Sequence, residues 1–108
     1  MKNTEEIEPI ELMPSGSDIQ SFTLTDPDDV RVVRRMLQEG VVHFWFRKND
    51  GSVRKAFGTL NMDIIKSNTS FTRRRERIGV LTYWDLAKED WRSVHLINEF
   101  VVDMSYMA

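Results

Sequence analysis

The stretch VVHFWFRKNDGSVRKAFGTL, residues 41–60, decides the fold because its side chains alternate in character every second residue. That period is typical of a β-strand with one face turned toward a core. The apolar face carries Val42, Phe44 and Phe46, and the opposite face carries His43, Trp45 and Arg47. Asn49, Asp50 and Gly51 then tolerate the positive φ angles of a tight turn. We therefore predict a β-hairpin here, with Gly58 marking a bend or bulge in its second strand.

An α-helix is predicted immediately before this hairpin, over about residues 27–39. Asp26 is a favourable N-cap, Pro27 suits the first helical position, and two further aspartates complement the positive end of the helix dipole. Gly40 supplies a signal for the helix to stop. The apolar residues between these signals recur at helical spacing, at Val30, Val33, Met36 and Leu37.

The chain beyond the hairpin is predicted to form further short β-elements. We expect a short helical turn in NMDIIKS, residues 61–67, and then a polar loop to about Arg77. A second hairpin is predicted from IGVLTYWDL and WRSVHLI around a turn at residues 87–90, and FVVDMSYM is predicted to be the last strand. IQSFTL, residues 19–24, is compatible with one more short strand. The order predicts a mainly β fold, a small five-stranded barrel preceded by one N-terminal α-helix.

Composition and charge bound the class of protein. The 108 residues are enough for one domain with a modest core. Cysteine is absent, which excludes disulfides and thiol chemistry, and no apolar run reaches the length of a membrane span. We therefore expect a cytoplasmic protein without a membrane segment. The domain is predicted over residues 19–108, after a flexible acidic leader over residues 1–18.

The small net charge of −2 conceals an asymmetry along the chain. Residues 1–29 carry eight acids and one lysine, giving −7, and residues 30–108 carry fourteen bases and nine acids, giving +5. The acidic arm either screens the basic body from polyanions or serves as a solubilising tail. Both interpretations remain open from the sequence.

The sequence gives little support for catalysis. His43 and His95 are the two histidines, and neither has a partner at metal-ligand spacing. Gly51 and Gly58 stand alone and do not form a phosphate-binding glycine loop. We predict a protein that is not an enzyme and that has no metal and no cofactor.

Arginines concentrate in FTRRRERIGV, residues 71–80, at Arg73, Arg74, Arg75 and Arg77. The guanidinium group is planar, permanently charged and able to donate two parallel hydrogen bonds, so such a run is chemically suited to phosphate. Glu76 lies within the run, and a charged loop that is merely solvated has the same composition. Trp45 is the aromatic residue predicted on the polar strand face, where it either stacks a base or packs in a protein interface.

The segments FRKNDGSVRKAFGTLN and YWDLAKEDWRSVHL resemble the WYL-like small-barrel family, which is frequent in phages and mobile elements. The resemblance rests on the turn at residues 48–51, the GTL of residues 58–60, and the hairpin of residues 83–93. It covers about half of the chain and implies an Sm-like or SH3-like fold. Related WYL domains are regulatory modules thought to bind nucleic acid or nucleotide-like ligands through basic and aromatic residues. Where many members carry a permanent cation, this chain has Val94 and then His95.

Two functions follow as hypotheses. The first is a regulatory module that binds nucleic acid or a nucleotide-like anion through the arginine loop and a basic, aromatic barrel face. The predicted binding residues are Arg73, Arg74, Arg75, Arg77, Trp45, Arg47, Arg92 and His95. The second is a protein-interaction or self-assembly module that uses edge strands, with FVVDMSYM as the apolar edge.

Overall fold

A computed structural model describes residues 13–68, 78–96 and 99–107. Within these ranges the chain forms six strands, two α-helices and one short 3-10 helix. The elements in chain order are β1 (Ile19–Thr23), α1 (Pro27–Glu39), β2 (Val41–Arg47), β3 (Val53–Thr59), α2 (Met62–Asn68), β4 (Val80–Asp85), β5 (Asp90–His95), β6 (Glu99–Asp103) and the 3-10 helix Met104–Met107.

The six strands form one antiparallel sheet in the order β1-β6-β2-β3-β4-β5. The predicted mainly β architecture is therefore confirmed, and the strand count is one higher than predicted. The additional strand is β1, which pairs with β6 and places Phe22 directly opposite Phe100. Over the described residues the sheet is not closed, because β1 and β5 form its two edges.

Helix α1 begins and ends where the sequence predicts. The Asp26 carboxylate accepts a hydrogen bond from the Asp28 backbone N–H at 2.9 Å, and Pro27 is the first helical residue. The Gly40 N–H donates to the Met36 carbonyl at 3.2 Å, at the end of the helix. The predicted apolar stripe is buried against the sheet. The division into a leader and a domain at residue 18 stays a prediction.

The end of α1 is held against β3 by a buried threonine. The Thr59 side chain is fully buried, and its hydroxyl lies 2.7 Å from the Gly40 carbonyl oxygen and 3.1 Å from that of Leu37. The same oxygen accepts the Asn61 N–H at 3.0 Å. The Leu37 carbonyl also accepts the Leu60 N–H at 2.7 Å, so the hydroxyl is needed chiefly by the Gly40 carbonyl and the Asn61 N–H.

Gly58 does not form a bulge, which was one of the two predictions for this position. It pairs in regular register with Val42 on one side and Asp85 on the other, so it makes no bulge in β3. A Cβ atom at this position would lie 2.7 Å from Tyr83 Cδ2 and 2.9 Å from Phe44 Cε2. Glycine is present because two aromatic rings of the core pack directly on the backbone.

The prediction for FVVDMSYM was wrong in two respects. The strand ends at Asp103, and residues 104–107 form the 3-10 helix. Strand β6 is also internal, since it lies between β1 and β2, and the side chains of Phe100 and Val102 are fully buried. Periodicity indicates a strand but not its position in the sheet, so this segment does not offer a free edge for self-association.

The second hairpin forms around residues 86–89, one position earlier than predicted. The Asp85 carboxylate is buried at this turn and accepts the N–H groups of Ala87 and Lys88, each at 3.0 Å. Trp91 lies opposite Trp84, and the two rings meet edge to face at 5.5 Å. No helix within the described part of the chain is long and apolar enough to cross a membrane.

Candidate anion-binding cleft

A cleft of about 380 Å³ lies between the β2–β3 turn and strand β5. Its floor is apolar, since it is formed by Phe46 and Val94, which are 4% and 1% exposed. Its rim is polar and includes Lys48, Asp50, Arg54, Ser93 and His95. The cleft thus combines an apolar floor with several groups of positive charge.

The cleft forms because the β2–β3 hairpin and the β4–β5 hairpin diverge from each other. Strand β3 pairs with β4 only through Gly58 and Thr59, at the end of β3 that lies far from the hairpin turn. The first half of β3, which includes Arg54, therefore separates from the β4–β5 hairpin. Since Arg54 is the register partner of Phe46, its side chain lies on the same sheet face as the apolar floor.

Two arginines on different strands, β3 and β5, contribute positive charge to this region. Arg54 of β3 and Arg92 of β5 are both half-buried, and neither forms an ion pair with a residue in the described ranges. Both lower the pKa of the nearby Tyr83 hydroxyl, although burial and the charge of Asp85 outweigh them and raise this pKa to about 12. The charges of both guanidinium groups therefore act on one buried phenol.

The carboxylate on the cleft rim is already engaged. Asp50 accepts hydrogen bonds from the Ser52 hydroxyl at 2.6 Å and from the Ser52 N–H at 2.9 Å. These hydrogen bonds, with a smaller contribution from the charge of Lys48, lower the Asp50 pKa. Its negative charge thus stabilises the turn, and neither Arg54 nor Arg92 is paired with it.

Trp45 lies on the opposite side of β2 from the cleft floor. Its neighbour on the same face, His43, is stacked on Phe57 at 4.1 Å and tilted against Trp45 at 4.3 Å. His43 Nδ1 also lies 3.6 Å from the Asp103 carboxylate. The Asp103 pKa is lowered chiefly by a 2.6 Å hydrogen bond from the Ser105 hydroxyl, with His43 contributing further.

Arg47 shares the Trp45 face and is held there by two contacts. Its Nε donates to Glu99 Oε1 at 3.1 Å, and its Nη1 donates to the Gly51 carbonyl at 2.8 Å. Its charge is therefore paired with an acid of β6, and the guanidinium braces the β2–β3 turn. The arrangement makes Arg47 less suited to phosphate than Arg54 or Arg92.

The structure thus separates the predicted binding residues into two groups. His95 lines the cleft, and Arg92 lies beside it on β5, whereas Trp45 and Arg47 lie on the other face of β2. The four arginines of residues 73–77 lie outside the described residues. The binding role of each residue stays a prediction.

Sequence reasoning left Lys48 and Arg54 out of the predicted site. Lys48 was assigned to the turn, where its N–H indeed donates to the Ser52 carbonyl at 2.7 Å. Arg54 is signalled by the hairpin register, which pairs it with Phe46 across a turn of known length. That it lines one cleft together with residues of β5 could not be foreseen, because this depends on how the two hairpins diverge.

No group of histidines and carboxylates within the described ranges is arranged to hold a metal ion. His43 and His95 lie on different strands, β2 and β5, and His95 is exposed.

The six antiparallel strands, with α1 packed against the sheet, form a small β-fold of the Sm-like SH3 type. The chain belongs to the WYL_2 family, whose model matches residues 31–99 and is described as an Sm-like SH3 beta-barrel fold. The predicted family is therefore confirmed, and the description names a fold and no reaction. Comparison with curated proteins gave no match, and neither did comparison with solved structures.

Proposed function

We propose that this protein is a non-catalytic, regulatory module of the cytoplasm that binds single-stranded nucleic acid or a nucleotide-like anion in the cleft between its hairpins. The observation that carries the proposal is the pair Arg54 and Arg92. Arg54 lines the cleft, and Arg92 precedes the lining residue Ser93 on β5. Both are half-buried, and neither forms an ion pair with an acid of the described residues. An anionic ligand would stabilise two such charges through charge-assisted hydrogen bonds.

The chemistry of the cleft suits a phosphate joined to an apolar or aromatic group. Guanidinium groups bind phosphate oxygens bidentately, and Lys48 adds a point charge on the rim. The floor of Phe46 and Val94 offers a surface for a base or a sugar. A volume of about 380 Å³ is near the lower end of small-ligand pockets and favours one nucleotide unit over a duplex.

The arginine run is proposed to extend the same positive surface. Arg73, Arg74, Arg75 and Arg77 lie outside the described residues, so their contribution is argued from the chain on either side. The described chain resumes at Ile78, and Val80 is the register partner of His95, which lines the cleft. The first strand after the run, β4, therefore lies beside the β5 side of the cleft.

Binding of a fluorescein-labelled single-stranded oligonucleotide, followed by anisotropy at low salt, tests this proposal. We expect Arg54→Ala/Arg92→Ala to raise the dissociation constant by at least about tenfold, since it removes two phosphate contacts. The matched control Arg31→Ala/Arg35→Ala removes two exposed arginines of α1 and lowers the net charge equally, and it is expected to change binding by less than about twofold.

Two outcomes would contradict the proposal. In the first, both double variants weaken binding equally, so that attraction depends on net charge and not on the cleft. In the second, the wild-type protein does not bind even after removal of residues 1–12, which eliminates screening by four glutamates while retaining β1. Competition by a mononucleotide distinguishes a nucleotide site from a longer groove for a single strand.

A further inference from the structure

The two arginines of the cleft region lie on one face of the sheet and are connected through aromatic rings. Arg54 is the register partner of Phe46, and Arg92 is that of Tyr83. Register partners share a face of an antiparallel pair, so each arginine lies on the side of its ring. The Phe44 ring lies 6.1 Å from that of Phe46 and 5.0 Å from that of Tyr83. Both guanidinium groups therefore belong to the face that carries the core, and both charges act on the Tyr83 hydroxyl.

The permanent charges at the cleft have a positive excess. Lys48 and Arg54 line the cleft, and Arg92 lies beside them on β5. Asp50 is the one carboxylate among the described residues that line it, and two hydrogen bonds commit this carboxylate to the β2–β3 turn. Three cations and one anion give a sum of +2, with histidine counted as neutral.

A second carboxylate, Asp85 of β4, is committed to another turn. It is buried, and it accepts the N–H groups of Ala87 and Lys88, each at 3.0 Å. Within the described ranges it forms no ion pair with Arg54 or Arg92, and it does not line the cleft. The positive excess at the cleft is therefore left for a ligand.

The phosphate groups of a nucleic acid differ in charge and in the number of their free oxygens. An internal phosphodiester carries a single negative charge and has a pair of non-bridging oxygens. A phosphate monoester carries a charge of about −1.5 to −2 at pH 7 and has three acceptor oxygens. Guanidinium groups bind such oxygens in pairs, and an ammonium group adds a point charge. A monoester therefore matches the positive excess of the cleft, whereas a diester neutralises only about half of it.

We propose that the cleft binds a nucleotide through a phosphate monoester, at the end of a single strand or in a free mononucleotide, in preference to an internal phosphodiester. This inference rests on the proposed function and specifies its ligand. The floor of Phe46 and Val94 packs against the sugar or the base. A volume of about 380 Å³ has room for one nucleotide unit, and a terminal unit has only one neighbour to accommodate outside the cleft.

Single strands that differ only at one end test this preference by fluorescence anisotropy. One pair carries a 5′-phosphate or a 5′-hydroxyl with fluorescein at the 3′ end, and a second pair has the two ends exchanged. We expect the phosphate to lower the dissociation constant by at least about tenfold at one end or at both. A hydroxyl strand lengthened by one nucleotide gains its charge as a diester and is expected to bind within about twofold of the shorter strand.

The cleft arginines are expected to be responsible for the difference between the strands. In Arg54→Ala/Arg92→Ala the terminal phosphate should change the dissociation constant by less than about twofold, whereas Arg31→Ala/Arg35→Ala should retain the wild-type difference. Circular dichroism checks that both variants are folded. A difference that persists in the cleft variant overturns the inference. So does equal binding of phosphorylated and hydroxyl strands by the wild type, although the proposed function stands if that binding still requires the cleft arginines.

Small ligands distinguish the two sources of the monoester. A 5′-mononucleotide and a 3′,5′-cyclic mononucleotide share base and sugar, but the cyclic compound contains a diester. By calorimetry we expect the wild type to bind the mononucleotide at least about tenfold more tightly than the cyclic compound. A mononucleotide that binds as tightly as the phosphorylated strand identifies a free nucleotide as the ligand, and a tighter strand identifies a strand end. Equal binding of the two small ligands overturns the inference, and a wild type that binds neither strands nor mononucleotide overturns the proposed function with it.

Discussion

At the scale of single residues, Tyr83 connects the core to the charged cleft. Its ring packs on the backbone of Gly58 and meets Phe44 edge to face at 5.0 Å. Its hydroxyl is buried and makes no hydrogen bond to a described residue. The carboxylate of Asp85 and the guanidinium groups of Arg54 and Arg92 all act on it. A polar group is therefore kept in the core, where the charges of Arg54 and Arg92 act on it.

Gly58→Ala is expected to destabilise the fold because there is no space for its methyl group. The two rings that would meet the new Cβ, at 2.7 Å and 2.9 Å, belong to fully buried side chains and cannot swing aside. We expect a loss of about 1–3 kcal/mol in the free energy of unfolding by urea. Gly40→Ala is the control, since no atom lies within 4 Å of its Cβ position. A loss for Gly40→Ala as large as that for Gly58→Ala would contradict the packing argument.

Tyr83 is expected to make the protein less stable in alkali. Its pKa is about 12 in the fold against 10.0 for the ordinary phenol, so the neutral form is favoured by folding. Below pH 10 both states hold the proton. As the pH rises from 10 to 12 the unfolded state releases it first, and stability is lost, by up to about 2–3 kcal/mol.

Comparison with Tyr83→Phe isolates this effect from the other groups that titrate in alkali. At pH 7 the variant is expected to unfold within about 1 kcal/mol of the wild type, since the hydroxyl has no partner to lose. Between pH 10 and 12 the wild type should lose stability faster than the variant. Parallel pH profiles, or a tyrosine absorbance step near pH 10 that disappears in Tyr83→Phe, would contradict the shifted pKa.

At the scale of elements, the end of α1 is fixed to the sheet through one side chain. Thr59→Val keeps the shape of the side chain but removes the hydroxyl that bridges the carbonyls of Leu37 and Gly40. We expect a loss of about 1–3 kcal/mol, because the Gly40 carbonyl and the Asn61 N–H lose their partner, whereas the Leu37 carbonyl keeps the Leu60 N–H. Thr59→Ser retains the hydroxyl and should lose less stability than Thr59→Val in the same urea titration. The reverse order would contradict the role of the hydroxyl.

The β4–β5 turn contains a strained residue that glycine should relieve. Glu89 has φ +54° and is the one residue other than glycine with a positive φ in the described part of the chain. Glu89→Gly is expected to raise the melting temperature and to stabilise the fold by about 0.5–1 kcal/mol. Lys88→Gly is the neighbouring control, and it is expected to destabilise by a similar amount because it only adds freedom to the unfolded chain. A destabilised Glu89→Gly would contradict the strain argument.

The elements that were predicted correctly are those determined by local sequence. Asp26, Pro27 and Gly40 set the limits of α1 through their own hydrogen bonds and φ angles, so its bounds follow from the sequence. The first hairpin follows likewise from Gly51, whose φ is +91°. The position of β6 depends on pairing with β1, a strand about 80 residues earlier, and no local pattern carries that information. For the same reason the packing of Tyr83 on Gly58 could not be predicted, since Tyr83 lies on another strand.

At the scale of the whole molecule, positive charge lies on more than one face. Arg54, Arg92 and His95 lie in or beside the cleft, whereas Arg47 lies on the Trp45 face, where Glu99 neutralises it. The sequence identified Arg92 and His95 correctly as neighbours on β5. It placed Trp45 and Phe46 on opposite faces of β2, but it could not show that the cleft opens on the Phe46 face, because an alternating pattern separates two faces without indicating which one borders a cleft.

The salt dependence of single-strand binding tests the central claim, that the cleft contacts phosphate, most directly. Each phosphate contact contributes about 0.7 to the slope of log affinity against log salt for a single strand. We predict that Arg54→Ala/Arg92→Ala reduces the magnitude of this slope by about 1.4. The α1 control Arg31→Ala/Arg35→Ala is predicted to leave it unchanged. Identical slopes for the wild type and the cleft variant would contradict the account.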